Sequence, residues 1–334
     1  MDIPQTGEAR PVRHRKLFSL VFAAMVFVAA VIVAAMTAAP ASALTAPASA
    51  NAVTAANAAT AAGSVESSDC SEYASSVTAA LAAAGVPAAA QAAPAATTPV
   101  TIWMAGDSTM MNATTCPIGW GSQFAPYFNS SVTVKNSAVG GRSIQTWLYD
   151  PNVTTTMNSA GECVISPETY STRWQAMLDS STGMKAGDYL FIAFGINDGS
   201  TTCNRHVGSA RYQELLGVMA KAAQARGAHP IFLTPTAAIT CSGSTAVGNR
   251  GFLTETFAAG TANNVPVIDL HKLSYTLYNA LGLCPNNGDY TTGAVGAFFC
   301  NDHTHFEAAG AVQIAGLVAK AIRDQGIALA SYLK

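Results

Sequence analysis

The chain has 334 residues, a formal net charge of −2, 50% hydrophobic residues and only 11% charged ones. Length alone would allow two domains, but much of the apolar fraction is alanine, so length overstates the part able to bury a core. No basic cluster occurs beyond the N-terminal flank, which argues against a nucleic-acid partner and leaves a neutral or weakly charged substrate as the default.

Residues 1–43 have the form of an export signal. Arg10, Arg13, Arg15 and Lys16 precede an uncharged run from Leu17 to Met36, and Ala41-Ser42-Ala43 suits a signal peptidase. The run is also just long enough to cross a bilayer, so an uncleaved anchor is the alternative, and contact with a membrane is expected only in that case. Either outcome implies a secreted or surface-held protein. The flank has no Arg-Arg pair, against twin-arginine export. Residues 44–97 are nearly all Ala, Thr, Ser, Pro, Val and Asn. Such a composition buries too little apolar area to offset the entropy of ordering, and it predicts a linker. One domain remains, residues 98–334, of ordinary size for an α/β unit.

Within it, VTIWMA, VTVKNSAV, DYLFIAFG, HPIFLTPT and VPVIDL are short, β-rich and almost continuously apolar, as strands buried on both faces must be. Helical patterns alternate with them. In the clearest, from Ser209 to Arg226, Leu215, Leu216, Met219, Ala222 and Ala223 share a face before Gly227 closes the helix. The last helix follows His305 and carries Val312, Ala315, Ala319 and Ile322. Alternating strands and helices predict parallel pairing with right-handed crossovers and a three-layer α/β domain, whose ligands bind at the carboxyl ends of the strands.

That edge collects the polar motifs. Ser108, in AGDSTM after the first strand, reads either as a helix cap, the ordinary use of Asp-Ser before a helix, or as a nucleophile. Gly140 and Gly141 follow the second strand, Asn197 and Asp198 the third, and Asp302-His303-Thr304-His305 stands before the last helix. Acyl transfer by serine needs a base, an acid that orients it, and donors for the oxyanion. His305 can be the base and Asp302, three residues earlier, its orienting acid. The amides of Ser108 and Gly141, with the side-chain amide of Asn197, can supply the oxyanion hole. Each block has a bland reading: Gly-Gly and Asn-Asp-Gly are ordinary turn signals, and His303 and His305 beside Asp302 could ligate a metal, although no third strong ligand is evident. His206, His229 and His271 are isolated and read as structural. G-x-S-x-G is absent, so the nucleophile elbow of the common α/β-hydrolases is not present.

Taken together, GDST at Gly106 to Thr109, AVGGRS at Ala138 to Ser143, FGINDG at Phe194 to Gly199 and DHTH at Asp302 to His305 closely resemble the SGNH hydrolases, also called GDSL esterases, and most of all their rhamnogalacturonan acetylesterase branch. The resemblance covers about Thr98 to Ile327. It implies a flavodoxin-like five-stranded sheet of order 2-1-3-4-5, Ser108 as nucleophile, Gly141 and Asn197 as oxyanion donors beside the Ser108 amide, and His305 and Asp302 as base and acid, with Asp107 shaping the turn. Ile196 departs from the branch, where an F-G-H-N-D block is frequent, which bears on the substrate and not on the reaction type.

The predicted function is a secreted serine esterase, a monomer, that removes acetyl groups from polysaccharide, acetylated pectin first, with no metal or cofactor. The alternatives are an esterase acting on lipid, thioester or aryl esters, and a non-catalytic carbohydrate-binding domain. Ser108 would also gain the positive end of the helix expected after it. Trp103, Trp120, Trp147, Tyr149 and Trp174 offer aromatic faces for packing or for stacking on sugar rings. Arg142, beside the oxyanion glycine, can pair with a uronate carboxylate through its planar fork. Seven cysteines in an exported chain predict disulfides. The expected pairs are Cys284 with Cys300, Cys203 with Cys241 and Cys116 with Cys163, leaving Cys70 unpaired in the linker.

Overall fold

The structure is a computed structural model and describes residues 98–334. The export segment, the linker and Cys70 lie outside the described residues.

Five strands form the central sheet: β1 (Val100–Gly106), β2 (Val132–Asn136), β3 (Tyr189–Ala193), β4 (His229–Leu233) and β5 (Val267–Ile268). All pairings are parallel and the order is 2-1-3-4-5, the flavodoxin-like arrangement. Among the described residues seven α-helices surround it: α1 (Ile144–Tyr149), α2 (Thr172–Met177), α3 (Ser209–Ala225), α4 (Leu253–Asn263), α5 (Leu270–Ala280), α6 (Gly293–Phe298) and α7 (Ala308–Asp324).

Period-two alternation along β1 explains the three layers. Ile102 and Met104 pack with Phe191, Ile231 and Leu233 against α5, α6 and α7. Trp103 and Ala105 face the other way and pack with Leu190, Ile192 and Phe232 against α1 to α4. Inner strands covered on both sides have no polar face to show, which is why β1 and β3 read as unbroken apolar runs. At the edge, β2 is half-exposed and polar at alternate positions, with Lys135 Nζ lying 4.3 Å from the centroid of the Trp103 ring.

Helix α3 ends as its sequence predicts. Gly227, at φ +71°, takes the left-handed turn, and the Ala228 amide donates back to the Ala223 carbonyl at 3.0 Å. Helix α7 departs in one residue, because Val312 is 43% exposed. The buried arc is centred on Ala311, Val318 and Ile322, and at about 100° per residue Val312 falls at its margin.

The disulfides are Cys116–Cys300, Cys163–Cys203 and Cys241–Cys284, so the three expected pairs are corrected. Expecting Cys284 to close onto Cys300 favoured a short loop. Loop-closure entropy changes only slowly with length, so proximity in the fold decides pairing. The loop after β1 lies against the segment before α7, with the Ile118 amide donating to the Phe306 carbonyl at 2.9 Å, and that brings Cys116 to Cys300.

Candidate active site

The register Gly106 with Ala193, and Ala193 with Leu233, aligns the carboxyl ends of β1, β3 and β4, and the sheet order reverses at β1. The motifs gather at this crevice.

Asp107 and Ser108 divide the two functions that a turn after a strand can have. Asp107, buried, accepts the Thr109 amide at 2.9 Å and the Thr109 hydroxyl at 2.8 Å, so it is the residue that caps the turn. Its burial raises the carboxyl above the usual range, against the lowering effect of the Thr109 bonds. Ser108 is left free of that duty, and its Oγ lies 2.8 Å from His305 Nε2. The helix expected to follow Ser108 is not formed. Residues 108–110 make only a turn, and the next helical piece is the short 3-10 segment Trp120–Gln123. Instead the chain folds back on itself, Gly119 and Trp120 donating to the carbonyls of Met111 and Thr109. A side chain at Gly119 would strike the 110–111 backbone at 2.3 Å, so this return requires glycine. The segment that follows Ser108 therefore offers it no helix dipole.

His305 is held from its other side. Its Nδ1 lies 2.7 Å from Asp302 Oδ2, while Asp302 Oδ1 accepts the amides of Thr304 and His305, each at 2.7 Å. Partial burial would raise the Asp302 carboxyl, but the bonds from the His305 amide and ring and the Thr304 amide outweigh it and hold the group below the usual carboxylate range. A hydroxyl bonded to an imidazole that is bonded in turn to an ionised carboxylate can release its proton to the ring as it attacks a carbonyl.

Across from His305, Gly140 and Gly141 turn the chain after β2. A Cβ on Gly140 would sit 3.7 Å from the Ser108 Cβ, so this turn passes next to the serine, and Gly141 has φ +71°, a conformation that favours glycine. Among the described residues, the amides of Ser108 and Gly141 have no acceptor. Asn197 Nδ2 donates one proton to the Arg142 carbonyl at 3.1 Å, and its Oδ1 accepts from Arg205 at 3.3 Å. The carboxamide is thereby fixed beside the glycine turn with a second N–H proton to offer. These are the donor types that an oxyanion needs.

Three residues in this neighbourhood carry roles that sequence reading passed over. Asp198 is fully buried and accepts the Ile144 amide at the start of α1 and the Gly195 amide after β3, both at 2.8 Å. Burial pushes its carboxyl up to about 7 despite those bonds. In sequence it belonged to a turn signal, and nothing local marked it as a tie between two loops. Arg250 reaches Thr304 Oγ1 at 2.8 Å and the Thr236 carbonyl at 3.2 Å, bracing the Asp302–His305 turn from behind. Asp150 accepts from Arg142 Nε and lies 3.6 Å from Arg173.

Arg142 thus has its Nε edge on Asp150 rather than free as a fork, and its Nη1 donates to the Gly140 carbonyl at 3.5 Å, which leaves Nη2 for a ligand. The aromatic faces are withdrawn as well: Trp103, Trp120, Trp147, Tyr149 and Trp174 are all buried and belong to the core. His206 bonds the Ser200 carbonyl, His229 packs on Tyr189, and His271 accepts the Asn249 amide at 3.1 Å and the Arg250 amide at 3.3 Å. Among the described residues, the one cluster with metal-ligand spacing is Cys116, Cys300 and Glu307; its two cysteines are bonded to each other, and neither His303 nor His305 belongs to it.

A three-layer α/β domain with a serine, an imidazole and a carboxylate in line at its sheet edge defines a class, the carboxylic ester hydrolases with a flavodoxin-like fold. Residues 102–318 match the GDSL-like lipase/acylhydrolase family, and the chain belongs to it. Among curated relatives, the rhamnogalacturonan acetylesterase RhgT of Bacillus subtilis is 29% identical over 260 residues, spanning 70% of this chain and 94% of the relative. A rhamnogalacturonan acetylesterase of Emericella nidulans is 28% identical over 253 residues, covering 69% of this chain and 87% of its own length. Among solved structures, the Bacillus subtilis protein YxiM superposes with a TM-score of 0.55 at 26% identity, over 69% of this chain and 58% of that one.

Proposed function

We propose that this enzyme is a carbohydrate acetylesterase whose preferred substrate is acetylated rhamnogalacturonan met outside the cell. Ser108 attacks the acetyl carbonyl while His305 takes its proton. Asp302 keeps the ring oriented and balances the imidazolium, and the amides of Ser108 and Gly141 with Asn197 Nδ2 stabilise the oxyanion. The tetrahedral intermediate collapses as His305 returns the proton to the departing sugar hydroxyl. Water, deprotonated by the same ring, then attacks the acyl carbonyl, and acetate leaves as His305 returns that proton to Ser108 Oγ. The scheme needs no metal or cofactor.

The observation that carries this reading is the hydrogen-bonded line from Ser108 Oγ through His305 to Asp302, at 2.8 and 2.7 Å. The substrate rests on the acetylesterase names of the relatives and on charge beside the glycine turn. Arg142 and Arg173 share the single carboxylate of Asp150, which leaves surplus positive charge suited to a uronate. Export is supported by the three disulfides. Among the described residues no helix is long and apolar enough to cross a membrane.

The test is acetate release from a panel of acetylated polysaccharides. Acetylated rhamnogalacturonan is expected to react faster than acetylated xylan, and Arg142→Ala to lose that preference while retaining its folding. Equal rates on both polymers would leave a general acetylesterase, and octanoyl esters turned over faster than acetyl esters would point to a lipase.

A further inference from the structure

We infer that a cavity beside the turn carrying His305 is a subsite for a neutral sugar residue of the polymer, an inference that rests on the carbohydrate reading above. The cavity, of about 340 Å³, lies between residues 239–243 and 285–290. The Cys241–Cys284 bond fastens its two walls together. It is tied to the reactive turn on both sides: the Ile239 amide donates to the His303 carbonyl at 2.8 Å, and the Tyr290 ring lies 6.1 Å from the His303 ring. A polymer whose acetylated residue sits at Ser108 and whose chain runs past His305 meets this cavity next.

Its lining sets the ligand class. No Asp, Glu, Lys or Arg faces it, whereas Thr240, Asn286, Asn287 and Tyr290 bring hydroxyl, carboxamide and phenol groups, and Ile239 and Pro285 bring apolar surface. Volume and mixture match a small-molecule site. Asn286 adds a specific pointer. Its Oδ1 accepts the Gly288 amide at 3.2 Å, but its Nδ2 is buried with no partner among the described residues. A buried donor without an acceptor is costly, and a turn of the carboxamide toward the cavity would let a sugar hydroxyl or ring oxygen supply one. A uronate would leave its charge unpaired here, so the cavity selects the neutral residue. The uronate falls instead to the Arg142 side of Ser108.

The experiment measures binding of an ester-free rhamnogalacturonan oligosaccharide by calorimetry to the parent enzyme, Asn286→Ala and Tyr290→Ala. In parallel, kcat/KM is measured on acetylated rhamnogalacturonan and on p-nitrophenyl acetate. Loss of one buried hydrogen bond predicts binding weakened about fivefold, and a polymer rate that falls about fivefold more than the p-nitrophenyl acetate rate. Absence of binding by the parent, variants that bind as the parent does, or equal loss on both substrates overturns the inference. Thermal midpoints report folding, and if Tyr290→Ala is destabilised the Asn286→Ala result decides. If the parent releases acetate from the polymer yet fails the binding test, the cavity assignment falls alone. If the parent releases none, the substrate reading itself fails.

Discussion

On the Asn197 side of Ser108, buried backbone amides converge on one carboxylate, that of Asp198, which joins the start of α1 to the end of β3. On the His305 side, the turn bonds to its own carboxylate, Asp302, whose side chain is 41% exposed, and a disulfide two residues upstream ties it to the loop after β1. The first side is built into the sheet and is rigid because polar groups sequestered from water must stay paired. The second lies nearer the surface, with Asp302 partly exposed, and it adds a covalent link to the hydrogen bond that Arg250 gives it from behind. The two carboxylates respond in opposite senses, since burial raises Asp198 to about 7 while hydrogen bonds hold Asp302 below its usual range.

The largest effect is expected where the two sides meet. Ser108→Ala should lower esterase turnover by roughly 10⁴-fold or more with the thermal midpoint preserved, because a nucleophile has no substitute. A variant keeping a tenth of parental turnover on p-nitrophenyl acetate would remove Ser108 from the mechanism. On the sheet-built side alone, Asn197→Ala should cost about 10²- to 10³-fold in kcat, as for one oxyanion donor. An unchanged kcat would mean that the hole is formed by backbone amides without it.

On the surface side, Cys116 and Cys300 enclose a loop with a sequence separation of 184, and the chain-entropy model assigns its closure about 5 kcal/mol. The double variant Cys116→Ser/Cys300→Ser should lower denaturant stability by about 2–5 kcal/mol and reduce kcat, because the Ser108 and His305 loops lose their clamp. If kcat stays at the parental value in folded protein, the bond serves stability only and the contrast between the two sides weakens.

The smallest effect concerns pH. A buried acid whose folded pKa is raised contributes stability that is fully present below the unfolded value near 4 and is lost as pH rises through about 7. Asp198 should therefore make the parent progressively less stable across that window, by a few kcal/mol at most. Asp302 acts oppositely, its contribution being present above the unfolded pKa and lost as pH falls through its lower folded value. Asp198→Asn is expected to be less stable at low pH yet to show a flatter slope between pH 4 and 7 in denaturant melts. A slope equal to the parental one would assign the titration to another group.

Several features were legible in the residues themselves. Five apolar runs separated by helical patterns determined the parallel sheet, because a strand covered on both faces can carry few polar side chains. Ser108, Gly141 and Asn197 were recognisable as residue types placed after strands, and Asp302 and His305 as a pair placed before the last helix, which are positions from which side chains can reach the open edge of such a sheet. Burial and long-range proximity decided the rest. Local spacing could not tell that Cys116 meets Cys300, that Asp198 receives amides from two separate loops, or that Asp150 takes up the Nε edge of Arg142. Nor could it tell that the chain after Ser108 folds back instead of forming a helix, an outcome set by Gly119 lying against the 110–111 backbone. Periodicity reports which face of an element is buried, whereas pairing between loops far apart in the chain depends on where the packed sheet carries their ends.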